Sequence, residues 1–223
     1  PETTEDSLSV PSAGDGSKSD TENIKKGWKS QVGITDSSDE NLVEILSLVD
    51  GYVEDADLSD EVRIRAAEML LSAWESDVFE GRGKESVIAG GVYAAARTLD
   101  QPRPLTKVSD MAGEGESTIN NTYRLIVSEL ELEIPISGPE DYVSYIGHEL
   151  SLSQDLIDEA TGWLERGVDC QGNPAGIAAS VLYLLARNNH DITLNEAGEA
   201  AGVSKETVWR HTQTIRDSGS ELV

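Results

Sequence analysis

Residues 86–97 read SVIAGGVYAAAR and residues 176–187 read GIAASVLYLLAR, so two stretches of the chain share a small, apolar pattern that ends in arginine. A helix without charge on any side is typical of a buried position. The first stretch carries two adjacent glycines, Gly90 and Gly91, each of which costs a helix about 1 kcal/mol relative to alanine. Close approach of neighbouring helices offsets that cost, so we expect each stretch to be the central helix of a bundle.

The similarity of the two stretches is part of a longer internal repeat. In the two central helices the matching residues are 90 positions apart, and in the helices that follow they are 89 positions apart. A single-residue gap between these two sets of matches therefore aligns the two copies. The matches are Ala89, Tyr93 and Arg97 with Ala179, Tyr183 and Arg187, then Leu105, Ala112, Gly113, Thr118 and Ile126 with Leu194, Ala201, Gly202, Thr207 and Ile215. A repeat of this length predicts a duplicated helical domain rather than a solenoid of short units.

Helical periodicity dominates the chain from about Asn41 onward, without a convincing alternating strand, so we predict an all-α protein. Pro135, Gly138 and Pro139 interrupt the pattern between the two copies. The predicted segments are a disordered acidic tail and linker at 1–38, a first five-helix repeat at 39–136 and a second at 137–223. The predicted helices are 41–54, 59–77, 84–99, 104–112, 115–132, 139–149, 152–167, 173–189, 193–201 and 204–218.

The last two helices of each copy have the pattern of a helix-turn-helix. In the second copy Gly202 supplies the sharp turn and Ser204 is a good N-cap for the helix that follows, and Gly113 takes the turn position in the first copy. Such a motif places the first residues of its second helix against base edges in the major groove. The candidate DNA contacts are Lys205, Thr207, Trp209, Arg210 and His211. The same pattern also fits a simple helical hairpin inside a packed domain.

The chain is strongly acidic, with 42 Asp and Glu against 17 Lys and Arg and a net charge of -25. A nucleic-acid-binding protein is expected to carry a basic face, so this charge argues against DNA at ordinary ionic strength. Such a surface also suits a protein that works in concentrated salt, where at about 1 M the Debye length is only ~3 Å and repulsion from DNA is screened. We favour a halophilic protein, and an acidic interaction protein from a mesophile is the alternative.

No arrangement of residues predicts catalysis, a bound metal or a cofactor. Cys170 is the only cysteine, which excludes an intrachain disulfide and a cysteine-based zinc site within this sequence. His148, His190 and His211 lie far apart, without the spacing of metal ligands. No phosphate-binding glycine loop follows a strand, and no apolar run approaches the ~20 residues of a membrane span. We therefore expect a cytoplasmic binding protein that is not an enzyme and does not enter a membrane.

Several short segments of the two copies are specific enough to indicate a family. In the first copy they are Gly81-Arg82-Gly83-Lys84, Pro102-Arg103-Pro104-Leu105 and Thr122-Tyr123-Arg124. In the second copy they are Gly172-Asn173-Pro174 and Ala201-Gly202-Val203-Ser204. As an ordered set over about residues 24–218, these segments resemble the two cyclin-like repeats of archaeal transcription initiation factor IIB.

The resemblance implies two tandem cyclin-like repeats that bind TATA-binding protein on promoter double-stranded DNA. In that family the first repeat touches TATA-binding protein and phosphates, the second reads a short element upstream of the TATA box, and the assembled factor recruits RNA polymerase. The resemblance therefore implies a monomeric, nucleoid-associated initiation factor. The implied phosphate or TATA-binding-protein contacts of the first repeat are Arg82, Lys84, Arg103 and Arg124.

The chain departs from the family pattern in two respects. Trp209 and Asn121 stand where the family usually has arginine, which removes side chains expected to read guanine. No zinc ribbon is visible, since no Cys or His precedes His148, and either truncation or divergence into a competing regulator explains this. Two other functions stay open: a cyclin-like protein-interaction module without sequence-specific DNA binding, and a helix-turn-helix regulator that binds its own operator as a dimer.

Overall fold

The computed structural model describes residues 37–167, 170–187 and 192–217, and every regular element in these ranges is an α-helix. The helices are α1 (Ser37–Asp55), α2 (Asp60–Glu75), α3 (Lys84–Thr98), α4 (Leu105–Ala112), α5 (Glu116–Glu129), α6 (Glu140–Glu149), α7 (Gln154–Glu165), α8 (Pro174–Ala186), α9 (Leu194–Ala201) and α10 (Lys205–Asp217). They agree with the predicted helices to within a few residues, which confirms the all-α class and five helices per copy. Residues 1–36 of the predicted tail, and His190, lie outside the described ranges.

The chain divides into two compact units. Among the described residues, one unit comprises those up to Ala96 together with Ser109–Glu133, and the other comprises Arg97–Val108 together with those from Ile134 onward. The connection between α3 and α4 therefore groups with the second unit, although the internal repeat counts it in the first copy. The repeat boundaries at 39–136 and 137–223 describe the duplication in sequence and stay a prediction.

The first unit is built around α3, whose residues from Ser86 to Ala96 are all buried. A Cβ at Gly91 would lie 2.8 Å from Leu70 Cδ2 of α2, and a Cβ at Gly90 would lie 3.1 Å from the backbone nitrogen of Tyr123 in α5. Two neighbouring helices therefore approach α3 at positions without side chains. This confirms the prediction that α3 is the central helix of its bundle.

The second unit repeats this plan around α8, which contacts α6, α7, α9 and α10. Asn173 caps α8 by accepting a hydrogen bond from the Gly176 N–H at 3.3 Å, and Pro174 occupies the first turn, where no N–H donor is needed. Ser180 is completely buried, and its hydroxyl lies within hydrogen-bond distance of two carbonyls, that of Gly176 in the same helix at 2.7 Å and that of Val208 in α10 at 3.1 Å. This side chain is therefore one contact between the central helix and α10. No helix in the described part of the chain is long and apolar enough to cross a membrane.

Candidate nucleic-acid interface

A helix-turn-helix is formed by α9 and α10 of the second unit. α9 begins with a reciprocal pair of hydrogen bonds, in which the Glu196 N–H donates to Thr193 Oγ1 at 3.2 Å and the Thr193 N–H donates to Glu196 Oε2 at 2.7 Å. α9 ends at Gly202, whose φ of +64° lies in the left-handed region that favours glycine. Ser204 caps α10 by accepting the Thr207 N–H at 3.2 Å. The predicted motif is therefore confirmed, with local bonds at both ends of its turn.

The turn is also held by Pro104, which directly precedes α4, and by Thr106 in the first turn of α4, and both residues belong to the same unit. Thr106 Oγ1 donates to the Gly202 carbonyl at 3.1 Å. A Cβ at Gly202 would lie 3.0 Å from Thr106 Cβ and 3.1 Å from Pro104 Cβ. Glycine is therefore needed here for two reasons, its backbone conformation and the close approach of Thr106 and Pro104. The turn is a packed feature of the second unit, which orients α10 relative to α9.

α10 has a buried face and an exposed face. The buried residues are Val208, His211, Thr212 and Ile215, and the exposed residues are Lys205, Glu206, Trp209, Arg210, Thr214 and Asp217. Trp209 is 55% exposed, which is unusual for an indole. α10 carries three basic and two acidic residues, a net charge of +1 in a chain whose net charge is -25. The exposed residues themselves carry two cations, Lys205 and Arg210, and two carboxylates, Glu206 and Asp217, because the third cation, Arg216, is half-buried.

The exposed face has a regular arrangement of charge. At about 100° per residue, Lys205 and Arg210 lie about 140° apart around α10, and Trp209, Gln213 and Glu206 fall between them. We call these five residues the outer arc. Arg216 and Asp217, at the end of α10, lie in the same sector of the helix. Gln213 and Glu206 were not among the contacts predicted from the sequence. Each is three or four residues from Trp209 and Arg210, and this spacing was the signal that they share a helix face with them. Cations at the margins and uncharged or acceptor groups in the middle suit a groove that is bordered by phosphates.

Thr207 and His211 lie outside the outer arc, although the sequence predicts both as DNA contacts together with Lys205, Trp209 and Arg210. Thr207 is half-buried, its hydroxyl lies 3.1 Å from Ser204 Oγ, and its methyl lies beside Gly176. The hydroxyl of Thr207 therefore belongs to the cap of α10. A contact between Thr207 and DNA stays a prediction.

His211 is only 3% exposed and lies on the buried face of α10. Its Nδ1 is 3.3 Å from Cys170 Sγ, and a Cβ at Gly172 would lie 2.5 Å from the imidazole. Burial, with a smaller contribution from the charge of Arg210, lowers the pKa of His211 and favours the neutral ring. In this structure His211 is a packing residue with almost no exposed surface, so its position gives no support to the prediction that it contacts DNA. The spacing of Val208, His211 and Ile215 was the available signal, since residues three and four apart share a helix face.

Arg82 and Lys84 of the first unit differ in exposure and in their partners. Arg82 is exposed, and its Nη1 donates to the carbonyls of Val78 and Glu80, both at 3.0 Å. Lys84 is half-buried, and its Nζ pairs with Glu44 Oε2 at 3.2 Å. Arg82 also lines an open cleft that is shared with residues of α5. These two cations are accessible, but hydrogen bonds within the unit already engage both.

Arg124 and Arg103 are placed in different units. Arg124 is exposed on α5 of the first unit. Arg103 groups with the second unit and is 7% exposed, with its guanidinium carbon 4.5 Å from the ring centroid of Tyr145. Its Nη1 also donates to the Gln101 carbonyl at 3.2 Å. Arg103 is therefore a buried cation–π partner of Tyr145.

Across the residues that the structure describes, no group of three or more His, Cys, Asp and Glu is placed to hold a metal ion.

Comparison with known proteins identifies relatives over most of the chain. Residues 39–129 match the transcription factor TFIIB repeat. The chain is 32% identical over 186 residues to transcription initiation factor IIB of Sulfurisphaera tokodaii, which covers 81% of this chain and 60% of that protein. It is also 32% identical over 186 residues to transcription initiation factor IIB 6 of Halobacterium salinarum, with 81% and 58% covered. With the protein of Ignicoccus hospitalis it shares 30% identity over 200 residues, with 87% and 63% covered. The chain thus spans about 60% of the length of these relatives.

Among solved structures, the similarities are weaker. A viral cyclin from herpesvirus saimiri matches with 15% identity and a TM-score of 0.37, over 85% of this chain and 88% of that one. The CAK complex of Chaetomium thermophilum matches with 11% identity and a TM-score of 0.39, over 88% of this chain and 72% of that one.

Proposed function

Because the chain belongs to the family that carries the transcription factor TFIIB repeat, we propose that it is an initiation factor that binds promoter DNA together with TATA-binding protein. In this proposal the chain stabilises TATA-binding protein on the promoter, and the complete factor helps to recruit RNA polymerase. The chain acts as a monomer through binding alone, without catalysis and without a cofactor, and it is found on the nucleoid.

The observation that carries the proposal is the outer arc on the second helix of a capped helix-turn-helix. Lys205 and Arg210 are exposed at its margins, on one of the few segments of the chain with a positive net charge. The corresponding helix of the first unit, α5, carries one basic and two acidic residues, a net charge of -1. We therefore assign the sequence-reading contact to α10, and phosphate or TATA-binding-protein contacts to Arg82, Lys84 and Arg124 of the first unit. Arg103 and His211 are left out because both are buried.

The net charge of the chain sets the conditions under which this contact forms. At low salt, 42 acidic residues repel the DNA backbone, whereas at about 1 M only charges within ~3 Å of the phosphates still act. A basic protein with six to ten phosphate contacts loses roughly 10³–10⁵ in affinity between 50 and 200 mM salt. For this chain we expect affinity to rise from about 0.1 M to about 1 M salt, because screening removes repulsion faster than it weakens the few contacts. Relatives occur in Halobacterium and in Sulfurisphaera alike, so adaptation to salt stays a prediction.

Fluorescence anisotropy of a labelled promoter duplex tests the proposal over this range of salt. The duplex contains a TATA box and the base pairs upstream of it, and the chain is added with and without an archaeal TATA-binding protein. We expect a larger complex only when both proteins are present, with tighter binding in molar KCl. Binding that does not depend on TATA-binding protein would instead indicate an independent regulator.

Two arginine variants provide a matched comparison. Arg210→Ala removes an exposed cation of the outer arc, whereas Arg166→Ala removes an exposed cation at the end of α7. We expect the first to weaken the ternary complex and the second to leave it unchanged. Equal effects would show that the outer arc has no special role.

A protein-interaction module without DNA binding is the second candidate function. The acidity of the helix-turn-helix favours it, since Glu196 and Glu199 of α9 and Glu206 of α10 are all exposed. This alternative predicts that no complex with DNA forms at any salt concentration. TATA-binding protein or polymerase would then be captured without promoter DNA.

A further inference from the structure

We propose that Trp209 makes the second unit selective for a thymine in the DNA element that α10 contacts, through the 5-methyl group of that base. The inference rests on the proposed function and names the chemical group that the outer arc recognises. It replaces the expectation that an arginine reads a guanine at this position.

The position of Trp209 on α10 supports a contact with base edges rather than with the backbone. Lys205 and Arg210 lie about 140° apart on the helix, and Trp209 lies between them, about 40° from Lys205. Phosphate groups border a groove on both sides and attract the two cations. A helix held in this way directs the residues between its cations, Trp209 included, toward the floor of the groove.

The chemistry of the indole then limits what it can recognise. Its only polar group is one N–H donor, so it cannot form the two-bond pairs with which arginine reads guanine or glutamine reads adenine. In the major groove the one apolar group on any base edge is the 5-methyl of thymine. The indole of Trp209 is 55% exposed and offers an apolar surface that a thymine methyl group can contact. Cytosine lacks the methyl and is therefore the base that this contact rejects.

The exposure of Trp209 is not a requirement of the fold. Trp209 is outside the set of apolar residues that pack against the core of the second unit. At the corresponding position of α5, 89 residues earlier, the first unit has Asn120, and that helix folds and packs without an aromatic residue there. Trp209→Asn therefore introduces the side chain that the first copy of the repeat has at the corresponding position of α5.

The test compares thymine with deoxyuridine, which pairs identically and lacks only the methyl group. In a promoter duplex bound by TATA-binding protein and this chain, each thymine outside the TATA box, within the footprint that the chain adds, is replaced in turn. We expect one replacement to weaken the ternary complex about fourfold, which corresponds to the burial of one methyl-sized group. With Trp209→Asn, overall affinity falls roughly tenfold and the same replacement has no further effect. Thr214→Ala, on the exposed face outside the outer arc, keeps the wild-type sensitivity.

Other outcomes overturn the inference in distinguishable ways. If wild type tolerates every deoxyuridine, or if Trp209→Asn stays as sensitive as wild type, Trp209 does not read a methyl group. If Trp209→Asn weakens the complex while no thymine matters, Trp209 contacts a protein instead. If no complex with DNA forms for any chain, the proposed function itself fails, and this inference fails with it. Far-UV circular dichroism of Trp209→Asn, which we expect to match wild type, separates loss of contact from loss of fold.

Discussion

Replacing Gly91 by alanine should destabilise the first unit, although alanine is the better helix former. Gly91 lies inside α3, and a Cβ there would be 2.8 Å from Leu70 Cδ2 and 2.9 Å from Leu70 Cγ. Both distances are shorter than the roughly 3.5–4.0 Å at which carbon atoms pack. Leu70 is fully buried and cannot withdraw into solvent. The new methyl group therefore displaces α2 or forces Leu70 from its rotamer.

Two contributions of opposite sign set the size of the effect. Removal of a glycine from a helix interior favours alanine by about 1 kcal/mol. An extra carbon in a packed core costs about 1–3 kcal/mol. Because the clash reaches Leu70 Cγ as well as a terminal methyl, we take the upper half of that range. The expected net loss in the free energy of unfolding is about 1–2 kcal/mol.

Gly51→Ala is the matched control, because Gly51 is exposed within α1 and no atom lies within 4 Å of its would-be Cβ. This variant has the same gain in helix propensity without a clash and should be more stable by about 0.5–1 kcal/mol. Urea unfolding followed by circular dichroism should show midpoints that shift in opposite directions at an unchanged slope. In a Leu70→Ala background the penalty at position 91 should disappear.

A higher midpoint for Gly91→Ala, similar to that of Gly51→Ala, would refute the close packing of α3 against α2. A penalty that persists after Leu70→Ala would show that another contact is responsible. Either result would remove the reason given for the glycine pair at the centre of the first unit.

Three further predictions concern the second unit and the candidate contacts. Gly202→Ala and Gly113→Ala both place alanine at a φ near +64°, which costs about 1–2 kcal/mol. Only the new Cβ at position 202 also clashes with Thr106, so urea unfolding should show the larger loss of stability for Gly202→Ala. The reverse order would contradict the packing of the turn. Arg103→Met should lower stability without changing the salt dependence of promoter binding. Arg82→Ala should change the salt dependence and lower stability less, because the hydrogen bonds it loses are exposed or half-buried. Anisotropy titrations and urea unfolding separate the two, and the reverse pattern would contradict these assignments. Because burial lowers the pKa of His211 in the folded chain, the unfolded chain binds a proton at His211 more readily than the folded chain does. The stability contributed by the neutral ring is therefore complete above the unfolded pKa near 6.5 and declines as the pH falls below it. His211→Gln should flatten this part of the curve of urea midpoint against pH, and an unchanged curve would contradict the assignment.

Much of the helix-turn-helix could be predicted because its determinants are local. Gly202 supports a left-handed turn wherever it stands, and Ser204 caps the next helix through an amide only three residues away. The central helices were also predictable, since Gly90 and Gly91 are tolerated only where another helix compensates for them. The sequence could not show that the compensating groups are Leu70 and the backbone of Tyr123.

The candidate contacts were harder to predict, because the exposure of a polar residue depends on partners that are distant in sequence. Arg210 and His211 are neighbours in the chain, yet one is exposed and the other lies against Cys170, 41 residues away. Arg103 has the charge of a phosphate contact, but the ring of Tyr145, 42 residues away in α6, covers it. The sequence by itself determined where helices begin, turn and repeat, because helical hydrogen bonds and caps join residues a few positions apart. The tertiary structure decided which side chains reach the surface, because burial results from contacts between helices that no local pattern specifies.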